Sequence, residues 1–439
     1  MNRMAGPQDD ARGVRFISPL RDFLHTEIAG GVILVAATVT ALVWANTPLR
    51  DSYHELWTSV LTIGFPEHSI SLTLRGWVND GLMAIFFFVI GLEIKRELVE
   101  GELREPKKAA LPVAAALGGM LVPALVYIAF NAGGPGSGGW GIPIATDTAM
   151  ALGMLTLLGR RAPPPLKLFI LALAIVDDIG AIIVITLFYS GGFNWGTTLL
   201  AIGLVIVVIV MRRVGIRSIP AYVVVGAALW LAIYDAGFHA TLAGLILGLL
   251  APTQPFRQQD MIDVDALLDL STVEAAEESV AIARESVSVV EWLEHRLHPW
   301  SAFFIVPVFA LANAGLVLSS GSVSRAASSP ITHGVVLGLV VGKLVGISLF
   351  GLIAVRLGIG ELPDGMTTRS LFGAAAFGGI GFTMSIFVAG FAFRYPLENE
   401  AKIGILVASV IAALVGAAIL ARPDRGAADR AEHGAGPWV

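Results

Sequence analysis

The chain has 439 residues, 55% of them hydrophobic and 14% charged, with a mean hydropathy of +0.76 and a formal net charge of −5. Soluble domains carry about a quarter charged residues, so a soluble globular protein is excluded and an integral membrane protein is expected. Zero cysteines exclude disulfides, thiol catalysis and Cys-ligated metal.

Apolar segments recur along nearly the whole chain and no series of ten-residue alternating strands is present. The pattern predicts an all-α polytopic membrane protein and argues against a β-barrel. The opening MNRMAGPQDDARGVRF lacks a signal peptide's short apolar core and cleavage site. Residues 1–25 are read as an N-terminal segment ahead of one membrane domain, 26–421. About twelve spans are expected, near 27–46, 76–98, 109–130, 140–158, 166–189, 196–212, 219–235, 238–251, 299–317, 333–356, 371–393 and 401–421. Between the first two, residues 58–74 alternate apolar and polar side chains around Phe65, Pro66 and Glu67. That alternation predicts a small β-hairpin outside the membrane, with an irregular loop as the alternative.

Lys and Arg set the orientation. Alternate connections hold Lys95, Arg96, Arg104, Lys107 and Lys108, then Arg160, Arg161 and Lys167, then Arg212, Arg213 and Arg217, then Arg356 and Arg369. The intervening 131–141, 190–196 and 236–238 hold none. By the positive-inside rule the cation-rich loops and both termini are cytoplasmic. The 252–298 connection is acidic: Asp263, Asp265, Asp269, Glu274, Glu277, Glu278, Glu285 and Glu291 face Arg284 alone between Asp260 and Glu294. A solvated loop is the plain reading, a regulatory or proton-collecting role the other. Residues 422–439 read as a disordered cytoplasmic tail.

Several polar groups fall where lipid is expected. Asp177 and Asp178 sit inside LKLFILALAIVDDIGAIIVITLFY. One aspartate near mid-membrane costs roughly 2.5–3.5 kcal/mol, so an adjacent pair points to an ion or proton pathway. GIPIATDTAMALG interrupts one short span with Pro143, Thr146, Asp147 and Thr148, and Lys343 lies inside GLVVGKLVGISLFG. In AAAFGGIGFTMSIF, Gly378, Gly379 and Gly381 precede Thr383 and Ser385. The two interruptions occupy the centres of three-span groups, 109–189 and 333–421, which is how inverted repeats place a midplane site. Glycines alone would signify no more than close helix packing; an aspartate and a lysine at the same depth favour a site. Asp147 can offset the positive N-termini of half-helices and Lys343 the negative C-termini.

Adjacent helix residues point about 100° apart. One carboxylate can therefore face a wet cavity while the other faces a neighbouring helix. Lys343 is the only embedded cation the sequence offers. The expectation is that Asp177 pairs with and releases Lys343, while Asp178 faces an ion that competes with a proton. An oxygen-only ligand set suits Na⁺ or Li⁺. Asp80 and Glu93 lie roughly 20 Å apart along one helix and belong toward opposite faces. His239 reads as a structural hydrogen bond or a pH-linked group, and His295 and His298 as loop histidines or pH sensors.

These strings resemble the NhaA-type bacterial sodium/proton antiporter family. The matches are VNDGLMAIFFFVIGLEIKREL, GWGIPIATDTAMALG, LALAIVDDIGAI, GFHATLAG, LEHRLHPW, FALANAG, VGKLVGISLF and FGGIGFTMSIF, spread over about 25–420. The family is itself a standard example of inverted-repeat transporters, so the repeat and the resemblance are not independent. The resemblance implies twelve spans with two broken, crossing helices, in a bacterial plasma membrane. It implies electrogenic exchange of more protons than Na⁺ or Li⁺, serving pH and sodium homeostasis, with no cofactor and no nucleic-acid partner. It makes Asp177 and Asp178 the ion and proton carboxylates, with Lys343 as partner and Thr146 beside them on the cation. Thr146, Asp147, Gly379 and Gly381 fall at the crossing. Asp80 becomes a structural or pathway acid, and Glu93 and Glu97 funnel residues. His239, Glu294, His295 and His298 fall in pH-responsive regions. The 58–74 hairpin looks like a homodimer contact, and lipid surrounds the whole. Two features depart from the family: the acidic loop is long, and Thr148 stands where an apolar residue is expected.

Rival readings fit less well. An intramembrane aspartyl protease needs two aspartates on different helices, typically with GxGD, which is absent here. A channel does not call for a buried lysine. A sodium-coupled symporter requires an organic-substrate pocket that the sequence does not show.

Overall fold

The computed structural model describes residues 29–65, 68–192, 194–216, 218–253 and 288–421. The expected N-terminal segment, the acidic stretch up to residue 287 and the C-terminal tail lie outside these residues. In a bilayer an apolar run satisfies its backbone polar groups internally only as a helix or closed barrel, and this chain is mostly helical.

The first helix, α1 (Ala29–Asn46), is followed by the short α2 (Arg50–Thr58), which turns Tyr53 and Trp57 inward. Strands β1 (Val60–Phe65) and β2 (His68–Thr73) form an antiparallel hairpin in register Val60↔Thr73 to Phe65↔His68. Thr62 and Ser71 hydroxyls meet across it at 2.8 Å. The indole N–H of Trp77 donates to the Leu61 carbonyl at 2.9 Å, tying the hairpin to the helix that follows. A π-turn, Trp77–Leu82, leads into α3 (Met83–Val99).

Next come α4 (Pro106–Asn131), a 3₁₀ segment Ser137–Ile144, α5 (Thr148–Leu157) and α6 (Pro164–Phe188). They are followed by α7 (Trp195–Val214), α8 (Ile219–Asp235) and α9 (Thr241–Leu250). Beyond the acidic loop, α10 (Val289–Trp300) continues through a π-turn into α11 (Val306–Asn313). The small α12 (Ser320–Ser328) precedes α13 (Pro330–Arg356). Last are α14 (Thr368–Phe377), α15 (Phe382–Ala392) and α16 (Leu397–Ala421).

Six described helices are long and apolar enough to cross a membrane: α1, α4, α6, α7, α13 and α16. The pair α14 and α15, bent by 46°, makes a seventh if it counts as one span. The remaining expected spans fall on shorter or interrupted helices. The structure moves one boundary furthest: where a span was expected to begin at 299, the helix starts at Val289 and ends at Asn313. Ser288 sets that start, since its hydroxyl accepts the Glu291 N–H and caps the first turn. In place of the span expected at 238–251, a turn through Gly237, with φ +85°, delays α9 to Thr241.

The two three-span groups touch through their first helices. On α4, Gly118 abuts Gly346 of α13 so closely that a Cβ on either would strike the other's carbonyl. Small residues let helices approach closely where the hydrophobic effect does not separate helix from lipid. Side chains such as Leu199, Ile202 and Ile206 of α7 are exposed, as a lipid-facing surface requires.

Candidate functional site

Pro143 has no N–H to donate, and the interruption expected here takes the form of a 3₁₀ segment, Ser137–Ile144, through the glycine-rich run. The backbone then extends through Ala145 and Asp147 before α5 begins at Thr148. In the other interrupted segment α14 stops at Phe377 and α15 starts at Phe382. The two interruptions meet. The Asp147 N–H donates to the Ile380 carbonyl at 2.6 Å, and the Ser385 hydroxyl donates to the Ile142 carbonyl at 2.8 Å. Gly379 and Gly381 sit at this contact, where a Cβ on Gly381 would lie 3.0 Å from Leu339 Cδ2.

One carboxylate serves both half-helices. Asp147 Oδ1 accepts from the Met150 N–H at 3.0 Å. Its Oδ2 accepts from the N–H and hydroxyl of Thr383, at 2.9 and 2.5 Å. The N-terminal turns of α5 and α15 thus share a buried anion where both helix dipoles are positive.

Lys343 Nζ lies 2.5 Å from Asp177 Oδ2, and neither side chain is exposed. The Thr146 hydroxyl stands 2.7 Å from the same oxygen and 2.9 Å from the Gly378 carbonyl, with one hydrogen to give. Among the described residues Oδ1 of Asp177 and Oδ1 of Asp178 have no hydrogen-bond partner. Asp178 turns away from the pair into a cavity of about 70 Å³, enough for a few water-sized occupants. Glu93, Asp147, Thr148, His298, Ser301 and Thr383 share its wall, and Asp177 does not. The helical angle between neighbours separates one carboxylate held by an ammonium from one open to small polar guests.

The other predicted residues do not all meet at this cavity. Glu97 is buried on α3, beyond Glu93. Glu294 Oε1 lies 2.6 Å from an Arg96 guanidinium nitrogen. The charged groups facing the Glu294 carboxyl are Arg96, Glu93, His298 and Glu291. His295 is exposed, whereas His298 reaches the cavity wall. Asp80 is outside that wall, in the π-turn, where its backbone carbonyl accepts the Trp230 indole N–H at 2.8 Å. His239 Nε2 lies 3.0 Å from the backbone carbonyl of Tyr189.

Sequence reasoning missed three features. The Arg96–Glu294 pair joins residues too far apart in sequence for spacing to reveal it. Asp147 as a double cap has only a local signal, an aspartate ahead of a helix. Lys402, one of the last helix's first residues, is also buried and lies 2.5 Å from Glu398 at i,i+4, so Lys343 is not the only buried ammonium. The Glu398–Lys402 spacing on a helix was the available sign.

Interrupted membrane helices that meet around a buried carboxylate–ammonium pair define a carrier of small ions. A family model described as Na+/H+ antiporter 1 matches residues 21–420. A Na(+)/H(+) antiporter NhaA 2 from Syntrophotalea carbinolica is 43% identical over 421 residues, covering 92% of this chain and 96% of that protein. Na(+)/H(+) antiporters NhaA from Oleidesulfovibrio alaskensis and Rhodopirellula baltica are each 44% identical, over 92% of this chain and 93% and 94% of theirs. The chain belongs to the Na+/H+ antiporter 1 family and is an integral membrane sodium/proton antiporter.

Proposed function

We propose that the protein is an electrogenic secondary transporter that exports Na⁺ or Li⁺ against protons by alternating access around Asp177 and Asp178. The observation that carries this reading is the split of the pair: Asp177 held by Lys343, Asp178 open to the cavity. A cation entering the cavity displaces the proton of Asp178. It then recruits Asp177 and Thr146 as oxygen ligands, which breaks the Lys343–Asp177 pair. A second proton leaves from Asp177 or Lys343, so that two protons are exchanged for one cation and each turnover moves a net charge. The reverse exchange restores the ion pair. Because one cavity takes either protons or a hard cation, occupancy by one excludes the other, which is the condition for antiport.

The same reading arranges twelve spans as two inverted repeats, 109–189 and 333–421, with broken helices crossing between them. The seven long or paired helices and the shorter α3, α5, α8, α9 and α10–α11 support that count. Both termini are cytoplasmic in a bacterial inner membrane, with a transporter domain at 26–421, an N-terminal segment at 1–25 and a tail at 422–439. The acidic 252–298 loop and Glu294, His295, His298 and His239 adjust the response to pH. Glu93 and Glu97 form the cytoplasmic funnel, and Asp80 belongs to the outer path. The 58–74 hairpin joins two copies as a homodimer in lipid, and its exposed Val60, Leu61 and Ile63 support that assignment.

Proteoliposomes holding an acid-interior pH gradient test the exchange. Na⁺ and Li⁺, but not K⁺, dissipate the gradient, faster when the membrane potential is clamped than when the charge moved by exchange is left to build an opposing potential. A response indifferent to potential removes the electrogenic assignment, and no response to Na⁺ removes the exchange reading.

A further inference from the structure

Helix α6 carries Asp178 and ends at Tyr189, whose side chain and backbone are both engaged. The Tyr189 hydroxyl donates to the Gly138 carbonyl at 2.7 Å and accepts the Gly141 N–H at 2.9 Å. Both partners belong to the 3₁₀ segment Ser137–Ile144, the half of the first interrupted span that leads to Thr146. The Tyr189 carbonyl lies 3.0 Å from His239 Nε2. A carbonyl can only accept, so Nε2 carries the hydrogen. The His239 ring rests on Phe391 of α15, the helix that presents Thr383 to Asp147, with centroids 3.8 Å apart. Tyr189 is thus bound to one interrupted segment through its hydroxyl and to the other through His239. Gly141 makes room for it: a Cβ there would lie 2.7 Å from the Tyr189 hydroxyl.

We propose that Tyr189 is a positioning residue of the exchange site and that His239 acts by holding it. A 3₁₀ segment has poorer internal hydrogen bonds than an α-helix. Ser137–Ile144 therefore depends on outside partners to keep its shape, and the phenol supplies one donor and one acceptor. If this segment shifts, Thr146 leaves the Asp177 oxygen 2.7 Å away. Tyr189 therefore sets how well the cation's oxygen ligands are placed, without touching the cation. The inference rests on the reading of Asp177, Asp178 and Thr146 as the exchange site.

The test is the half-saturating Na⁺ concentration and maximal rate in proteoliposomes, with the melting temperature of the purified protein measured alongside. Tyr189→Phe loses both hydroxyl hydrogen bonds, and Gly141→Ala drives the ring away from the segment while leaving its hydroxyl group intact. Each is expected to raise half-saturating Na⁺ roughly three- to tenfold with the maximal rate nearly kept. His239→Leu shifts the same quantity, whereas His239→Gln, which retains an N–H donor, shifts it less. The Tyr189→Phe/His239→Leu protein is no worse than its more affected parent, since both changes cut one connection. Wild-type half-saturating Na⁺ in Tyr189→Phe overturns the proposal, as do additive effects in the double variant. A loss that tracks only the amount of folded protein overturns it too. Undiminished exchange by Asp178→Asn in the same assay instead removes the site reading beneath it.

Discussion

Lys343 and Asp177 form an ion pair of 2.5 Å with both side chains fully buried, between residues 166 positions apart in the chain. Desolvating two charges offsets much of what their attraction returns, and removing one partner leaves the other charge buried and alone. Lys343→Ala is accordingly expected to destabilise the protein by about 3–5 kcal/mol and to reduce exchange. Asp177→Asn/Lys343→Gln, which removes both charges, should recover most of the thermal stability while transporting poorly. Melting temperatures of the three purified proteins decide it: a double variant no more stable than Lys343→Ala would show that the pair's charge is not the cause.

Asp178 has a different environment, facing the cavity with one oxygen unpartnered among the described residues. Asp178→Asn keeps the shape and loses the charge and the titrating proton. It should abolish Na⁺-driven proton movement and leave the melting temperature near wild type. Asp80 does not line that cavity, so Asp80→Glu should retain substantial exchange. Normal transport by Asp178→Asn, or complete loss in Asp80→Glu, would place the chemistry elsewhere.

The sequence reveals this architecture unevenly, for reasons that are local or not. A bilayer span writes itself as a run of apolar residues, so α4, α6, α7, α13 and α16 are legible to within a few residues. Pro143 and Asp147 within an apolar stretch mark a break, because proline removes a donor and a charge in lipid needs a partner. The form of the break is not legible, since a 3₁₀ turn and an α-turn share most residues. Contacts across the chain are less legible still. The angle between Asp177 and Asp178 says that they part, yet only packing shows that Asp177 takes Lys343 and Thr146. The Tyr189 hydroxyl bridge and the Arg96–Glu294 pair leave no periodic trace at all.

Glu294 is buried and meets the half-buried Arg96 guanidinium at 2.6 Å. Removing one partner of such a pair costs most when the group left behind is the buried one. Arg96→Ala, which leaves the Glu294 carboxyl alone, should therefore lower the melting temperature more than Glu294→Gln, which leaves a guanidinium that still reaches water. Equal melting temperatures for the two variants would show that the pair does not hold α3 against α10.

Asp147 gives the sharpest separation of structural from transport roles, because it caps two helices with two oxygens. In Asp147→Ala the N–H groups of Met150 and Thr383 both lose their acceptor. A lost N-cap costs about 0.5–2 kcal/mol per helix, so the expected loss is on the order of 1–4 kcal/mol. Asp147→Asn keeps one acceptor oxygen. The amide can place it toward the N–H and hydroxyl of Thr383 and leave only Met150 unserved, so roughly half the loss should return. Asn also lacks the negative charge that faces both positive helix ends, which keeps it below wild type. The expected order of melting temperature is wild type, then Asn, then Ala. If Asn and Ala melt together, the charge and not the hydrogen bonds holds the crossing. If both match wild type, the two half-helices are held by their packing against α13 and α16 and Asp147 belongs to the ion path alone.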